Sequence, residues 1–134
     1  MKIDSHQHFW NYSQEAYPWM TEAHEAIKRA FLPRDLEPIL KRNQIDGCIA
    51  VQAQQTLEET EWLLTLAEKN PFLKGVVGWF PFRDANVSES LDQFAIHPAL
   101  VGARHVVHDE PDDDFILGKE FNQGIGKLAN YDLV

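Results

Sequence analysis

The chain has 134 residues, enough for one ordinary domain with its own core, and its hydrophobic and charged fractions of 44% and 25% are those of a globular protein. Twelve basic against 21 acidic residues give a net charge of −9, which argues against nucleic acid or an anionic membrane as the main partner. A single cysteine, Cys48, no signal-peptide pattern and no apolar run near the ~18 residues of a membrane span predict a cytoplasmic protein.

In chain order, residues 2–8 read as a first strand, and residues 22–31 suit a short helix. Asp35 is placed to cap a second helix running to about Asn43. There Leu36, Ile39 and Leu40 recur at i, i+3, i+4, and Pro38 is expected in the first turn, where a missing N–H costs little. The apolar run Ile45 to Val51 is too short for a buried helix with flanking glycine and reads as a fully buried strand. Thr56-Leu57-Glu58-Glu59 matches a capping box and opens a helix to about Lys69, which Pro71 stops. Residues 74–80 form a third strand, Ser88 to about Ile96 a helix, and residues 100–107 a fourth strand. The run Asp109-Glu110-Pro111-Asp112-Asp113-Asp114 reads as a solvated loop. Lys119 to Ala129 has helical spacing, weakened by Gly124 and Gly126, and residues 132–134 look like the start of a fifth strand. Near-continuous apolar strands between amphipathic helices predict an α/β fold with a parallel sheet covered by helices.

The most informative stretch is Ile3-Asp4-Ser5-His6-Gln7-His8-Phe9-Trp10. Side chains alternate faces along a strand, so Asp4, His6 and His8 are expected on one face, with neighbours about 6.5–7 Å apart. Two imidazoles at that spacing can converge on one metal ion. His24, His97 and His108 carry no partner motif and are expected at the surface or as caps.

These residues carry a resemblance. The opening stretch, Val51-Gln52-Ala53, Gly75-Val76-Val77-Gly78-Trp79, Gly102-Ala103-Arg104-His105 and Asp109-Glu110-Pro111-Asp112 together resemble the amidohydrolase-related, metal-dependent hydrolases of TIM-barrel fold. The likeness is greatest to the branch that opens sugar lactones such as L-fuconolactone and L-rhamnonolactone. It implies that residues 1–134 form the N-terminal half of a (β/α)8 barrel, with four to five parallel strands. Such a barrel takes about 250 residues, so the chain reads as half of a longer protein, truncated before the later strands. A half-barrel leaves open strand edges, which predicts pairing with the missing half or a homo-oligomer.

In such barrels the active site lies at the C-terminal strand ends, where His8, Gln52, Trp79, Arg104 and His105 fall. The resemblance implies His6 and His8 as ligands of a divalent metal, zinc or manganese, although some relatives work without metal. Arg104 is the expected catalytic residue, its planar cation suited to a carboxylate or lactone oxygen; the alternative is an ion pair with an acid such as Glu110. Gln52, Trp79 and His105 are expected substrate contacts. Arg104 and His105 are adjacent, however, and point to opposite faces of a regular strand, so only one of them is expected in the mouth. The implied activity is hydrolysis of a small cyclic ester by metal-activated water, on a sugar lactone or related carboxylate. Two alternatives stand beside it: a non-catalytic half-barrel that self-associates, and a decarboxylase or amidase of the same superfamily.

Overall fold

The computed structural model describes residues 1–134. Four strands, β1 (Ile3–Gln7), β2 (Gly47–Val51), β3 (Leu73–Gly78) and β4 (Leu100–Ala103), form one sheet in sequential order. Every adjacent pair is parallel. Helices α1 (Pro33–Arg42), α2 (Leu57–Lys69) and α3 (Val87–Ala95) connect them, and α4 (Lys119–Lys127) follows β4. Sequential parallel strands joined by helices are what repeated βα units produce. No helix is long and apolar enough to cross a membrane.

The core lies where strand and helix faces meet. Cys48, Ala50 and Val76 of the sheet pack with Leu63 and Leu64 of α2 and with Val87 and Leu91 of α3, all buried. Phe80, Phe82, Phe115 and Phe121 extend this core as an aromatic cluster toward α4. Gly124, which weakens the helical reading of its segment, has a local reason: a Cβ there would stand 2.9 Å from the Cα of Phe82. The glycine lets α4 lie directly on that backbone.

Several sequence expectations shift. The helix expected over 22–31 is a 3₁₀ segment, Glu22–Ile27, broken by a non-helical His24. The His24 ring turns back so that Nδ1 accepts from the Thr21 amide at 3.2 Å, and Phe31 is drawn into an antiparallel bridge with Trp10. α1 starts at Pro33, two residues before Asp35; a proline at the first helical position sacrifices no bond, and the Asp35 carboxylate accepts from Leu32 N at 2.9 Å. Pro38 therefore sits in the second turn rather than the first. β4 ends at Ala103 instead of continuing to Val107, which belongs to a short 3₁₀ turn, Val107–Asp109. α4 stops at Lys127 and tightens into a 3₁₀ turn, Leu128–Asn130. At Val134 the chain does bond to β4: Ala103 N donates to Val134 O at 2.8 Å, and Val134 N to Val101 O at 3.2 Å.

Candidate functional site at the strand ends

The C-terminal ends of the strands carry the polar residues. His6 and His8 converge, with their Nε2 atoms 3.1 Å apart and their rings edge to face at 4.8 Å. His8 Nδ1 lies 2.9 Å from the carbonyl of Val51. A carbonyl only accepts, so the ring hydrogen sits on Nδ1 and the Nε2 lone pair is left free toward His6. Burial, aided by the charges of His6 and Arg104 and opposed by the Val51 hydrogen bond, lowers the pKa of His8 below its usual value and favours the neutral, ligating form.

This donor pair fits a metal in part. Two nitrogens on a tetrahedral zinc stand roughly 3.3 Å apart, given Zn–N distances of ~2.0–2.1 Å, close to the separation found. No third His, Cys, Asp or Glu completes a cluster. Asp4, expected on the same face, is turned elsewhere: its carboxylate accepts from His6 N at 3.2 Å and from Gln7 Nε2 at 2.5 Å, where the β1–β2 register is irregular.

A cleft of about 340 Å³ opens beside the pair, lined by His8, Gln52 and Arg104. Gln52 is fully buried, and neither its amide nitrogen nor its amide oxygen has a partner. Its backbone is fixed, since its amide donates to Val77 O at 2.9 Å. Arg104 N donates to Gly78 O at 2.8 Å, which seats the arginine at the end of β4. The ion pair with Glu110 that was the alternative for Arg104 is absent, because Glu110 binds His105 instead.

The structure places Trp79 and His105 away from the cleft lining. The Trp79 indole N–H donates to His105 Nδ1 at 3.1 Å, so His105 carries its hydrogen on Nε2, which donates to Glu110 Oε1 at 2.5 Å. The imidazole stacks on Phe115 at 4.9 Å and meets Phe121 edge-on. Both ring nitrogens are thus engaged inside the protein, and the acidic loop is anchored through Glu110 to the end of β4.

Six further lining residues, Trp10, Trp19, Ala53, Val106, His108 and Asp109, were not expected in the site from sequence, and His108 was expected at the surface or as a cap. Trp10 and Trp19 come from the long β1–α1 excursion, and His108 and Asp109 from the loop after β4. Trp10 is pinned by its indole N–H, which donates to Arg29 O at 2.8 Å, whereas Trp19 is half exposed. The density of aromatics in an otherwise polar stretch (Trp10, Tyr12, Tyr17 and Trp19) was the available signal.

The first turn of α2 holds the ends of β2 and β3. Thr56 Oγ1 accepts from Glu59 N at 3.1 Å, a cap worth about 1 kcal/mol. The Glu59 carboxylate does not close the expected capping box. It reaches past the helix and accepts from Ala53 N at 2.8 Å and Gln54 N at 2.7 Å, just beyond Gln52. Burial raises the pKa of this carboxyl, and the same burial beside Glu59 holds the Tyr17 hydroxyl well above its usual range. Thr60 Oγ1 accepts from Trp79 N at 2.9 Å and donates to Trp79 O at 3.0 Å.

The sequence profile of the amidohydrolase family matches residues 3–134. The chain belongs to the amidohydrolase family. The L-fucono-1,5-lactonase of Burkholderia ambifaria is 33% identical over 132 residues, covering 98% of this chain and 46% of that protein. The L-fucono-1,5-lactonase of Burkholderia multivorans is 35% identical over 135 residues and covers 100% of this chain and 45% of its own. This amidohydrolase chain therefore spans about half the length of the curated relatives it matches. A crystal structure of an amidohydrolase from Burkholderia multivorans with bound zinc superposes with a TM-score of 0.94 at 34% identity, over 99% of this chain and 47% of that one. A probable 2-pyrone-4,6-dicarboxylic acid hydrolase from Acinetobacter baumannii, with citric acid bound, shares the fold alone, at a TM-score of 0.66 and 13% identity.

Proposed function

We propose that the protein of which these residues form part hydrolyses a sugar 1,5-lactone, and that this chain supplies the first half of the site. The observation that carries the reading is the cleft in which Arg104 and the unpartnered amide of buried Gln52 stand beside His8. An orphaned buried amide costs about 1–3 kcal/mol, a penalty that a ligand's hydroxyl or carbonyl removes on binding. Identities of 33% and 35% to two lactonases support the substrate class.

In this reading the Arg104 guanidinium grips the acyl oxygens of lactone and product with paired N–H donors, and its charge opposes the negative charge that develops on the carbonyl oxygen. Gln52 offers an NH₂ donor group and a carbonyl acceptor, which together suit a sugar hydroxyl. Trp10 and Trp19 wall the cleft with indole faces that take the apolar side of a sugar ring. His6 and His8 would hold a divalent ion, zinc or manganese, which when bound supplies polarisation of a carbonyl and acidification of a water. Two donors leave half of a four-ligand sphere to residues outside these 134, as they do the general base. The chain alone is accordingly proposed to be inactive.

The test is acid release from L-fucono-1,5-lactone by the protein expressed with the coding sequence that surrounds these residues. Turnover is expected, and Arg104→Lys should lower kcat by at least about tenfold, because an ammonium cannot reproduce the paired donors. No hydrolysis of any aldonolactone, with or without added zinc, overturns the reading.

A further inference from the structure

The segment between β2 and α2 reaches outward in two directions. Gln54 Nε2 donates to the carbonyl of Ala16 at 2.6 Å, 38 residues earlier in the chain. Gln55 Oε1 accepts from the amide of Val106 at 2.8 Å, 51 residues later. Ala16 lies three residues before Trp19, and Val106 lies between Arg104 and the His108–Asp109 pair, so each tie ends beside a different wall of the cleft.

The geometry gives these ties purchase. Their common base is rigid, because Glu59 fixes the amides of Ala53 and Gln54. Their far ends lie outside the sheet and the long helices, and Ala16 keeps one local bond of its own, its amide donating to Ser13 Oγ at 3.1 Å. Val106 lies past the last residue of β4, where no ladder bond holds its amide. Ala16 belongs to the β1–α1 excursion, outside any helix or strand. Between the two ties lies a cavity of about 250 Å³, bordered by Gln54 and Gln55, and it shares Trp19, Val106 and Asp109 with the cleft.

We propose that Gln54 and Gln55 are positioning residues that set the two walls of the cleft, Gln54 the Trp19 wall and Gln55 the Val106–Asp109 wall. The functional part of this proposal rests on the reading of the cleft as a substrate site. The polarity of each tie is dictated by its backbone partner: a carbonyl requires a donor, and an amide requires an acceptor. Glutamate differs from glutamine by exchanging the amide NH₂ for an acceptor oxygen. Gln55→Glu therefore keeps its tie, whereas Gln54→Glu loses it and sets a carboxylate against a carbonyl. The same substitution at adjacent positions should preserve one tie and break the other, which general destabilisation of the loop would not do.

The experiment compares Gln54→Glu, Gln54→Leu, Gln55→Glu and Gln55→Leu in the protein expressed with its surrounding coding sequence. Hydrogen exchange at the Val106 amide and the chemical shift of the Trp19 indole N–H report the walls without substrate. The KM and kcat for L-fucono-1,5-lactone report their effect. Gln55→Leu should speed exchange at Val106 and raise KM by about tenfold with kcat little changed, and Gln55→Glu should restore both. Both Gln54 variants should shift the Trp19 signal and raise KM, with no rescue by Glu. Gln55→Leu that leaves Val106 exchange as in the wild type, or Gln54→Glu that keeps the wild-type Trp19 signal, overturns the proposal. So does an active Gln55→Leu variant with an unchanged KM. Absence of lactone turnover in the wild type defeats the functional reading, while exchange at Val106 and the Trp19 signal still decide whether the ties position the walls.

Discussion

His6 and His8 bring their Nε2 atoms to 3.1 Å from each other, and only His8 is braced from behind, by the Val51 carbonyl on its Nδ1. The brace fixes one tautomer and one ring orientation, as a backbone carbonyl does behind a metal-bound imidazole. Zinc binding is expected to require both rings. His6→Ala and His8→Ala should each abolish zinc retention in equilibrium dialysis, with a thermal midpoint within about 3 °C of the wild type for a partly exposed side chain. If both variants hold zinc as the wild type does, the metal lies elsewhere.

Gln52 combines full burial with two unpartnered amide atoms. Replacing an unpartnered buried polar group by an apolar one of similar shape removes its desolvation cost, so Gln52→Leu should raise the unfolding free energy by about 1–3 kcal/mol. The same change should remove lactone binding, the trade-off expected of a group kept for function. Urea denaturation and substrate titration measure the two effects. A destabilised Gln52→Leu would mean that the amide finds partners in solution.

Glu59 makes stability depend on pH. Burial, the largest influence, raises its folded-state pKa above the ordinary 4.5, against the opposing effect of the Gln54 and Ala53 amides and the Tyr17 hydroxyl. A raised carboxyl contributes stability fully below its unfolded value, and the contribution is lost as pH rises through the folded value. The unfolding free energy of wild type minus that of Glu59→Gln should therefore shrink as pH climbs above the ordinary carboxyl value of 4.5. Tyr17 titrates far above this window and does not enter. Urea titrations across the range provide the check; a difference that grows with pH would show that the Ala53 and Gln54 amides outweigh burial.

Gln44 follows the C-terminus of α1 with φ at 55°, the one non-glycine residue in the left-handed region. Glycine is the usual occupant there because a Cβ crowds the following carbonyl. Gln44→Gly should stabilise the fold by about 0.5–1 kcal/mol, the relief of strain exceeding the added freedom of the unfolded chain. The midpoint of urea unfolding reports it, and a lowered midpoint would show that the glutamine side chain contributes more than its backbone costs.

The strands were legible because a buried parallel strand needs an unbroken apolar run, and β2 and β3 carry one each. The end of β4 was not. Val106 and Val107 resume the apolar pattern after Arg104 and His105, but a hydrogen bond to Gln55 and the packing of His105 against Phe115 and Phe121 turn the chain out of the sheet. Both are long-range effects that periodicity does not encode. The convergence of His6 and His8 followed from their spacing, whereas Asp4 left the group through local bonds at an irregular register. Alternation along β4 put Arg104 and His105 on opposite sides, and they do separate: Arg104 to the cleft, His105 to the aromatic cluster. Trp19, His108 and Asp109 come from segments without periodicity, whose course is set by contacts with distant parts of the chain.

The short loop from Gln52 to Thr56 is fastened inward by Glu59 and outward by Gln54 and Gln55. A residue inserted or deleted there would move all three fastenings at once. Such a loop offers divergence little room, and new substrate preferences are more readily reached through the outer residues of the acidic loop, where Asp112, Asp113 and Asp114 face solvent and length is free to vary. One border of the cleft is thus held at three points, while the outer residues of the acidic loop are free of such ties.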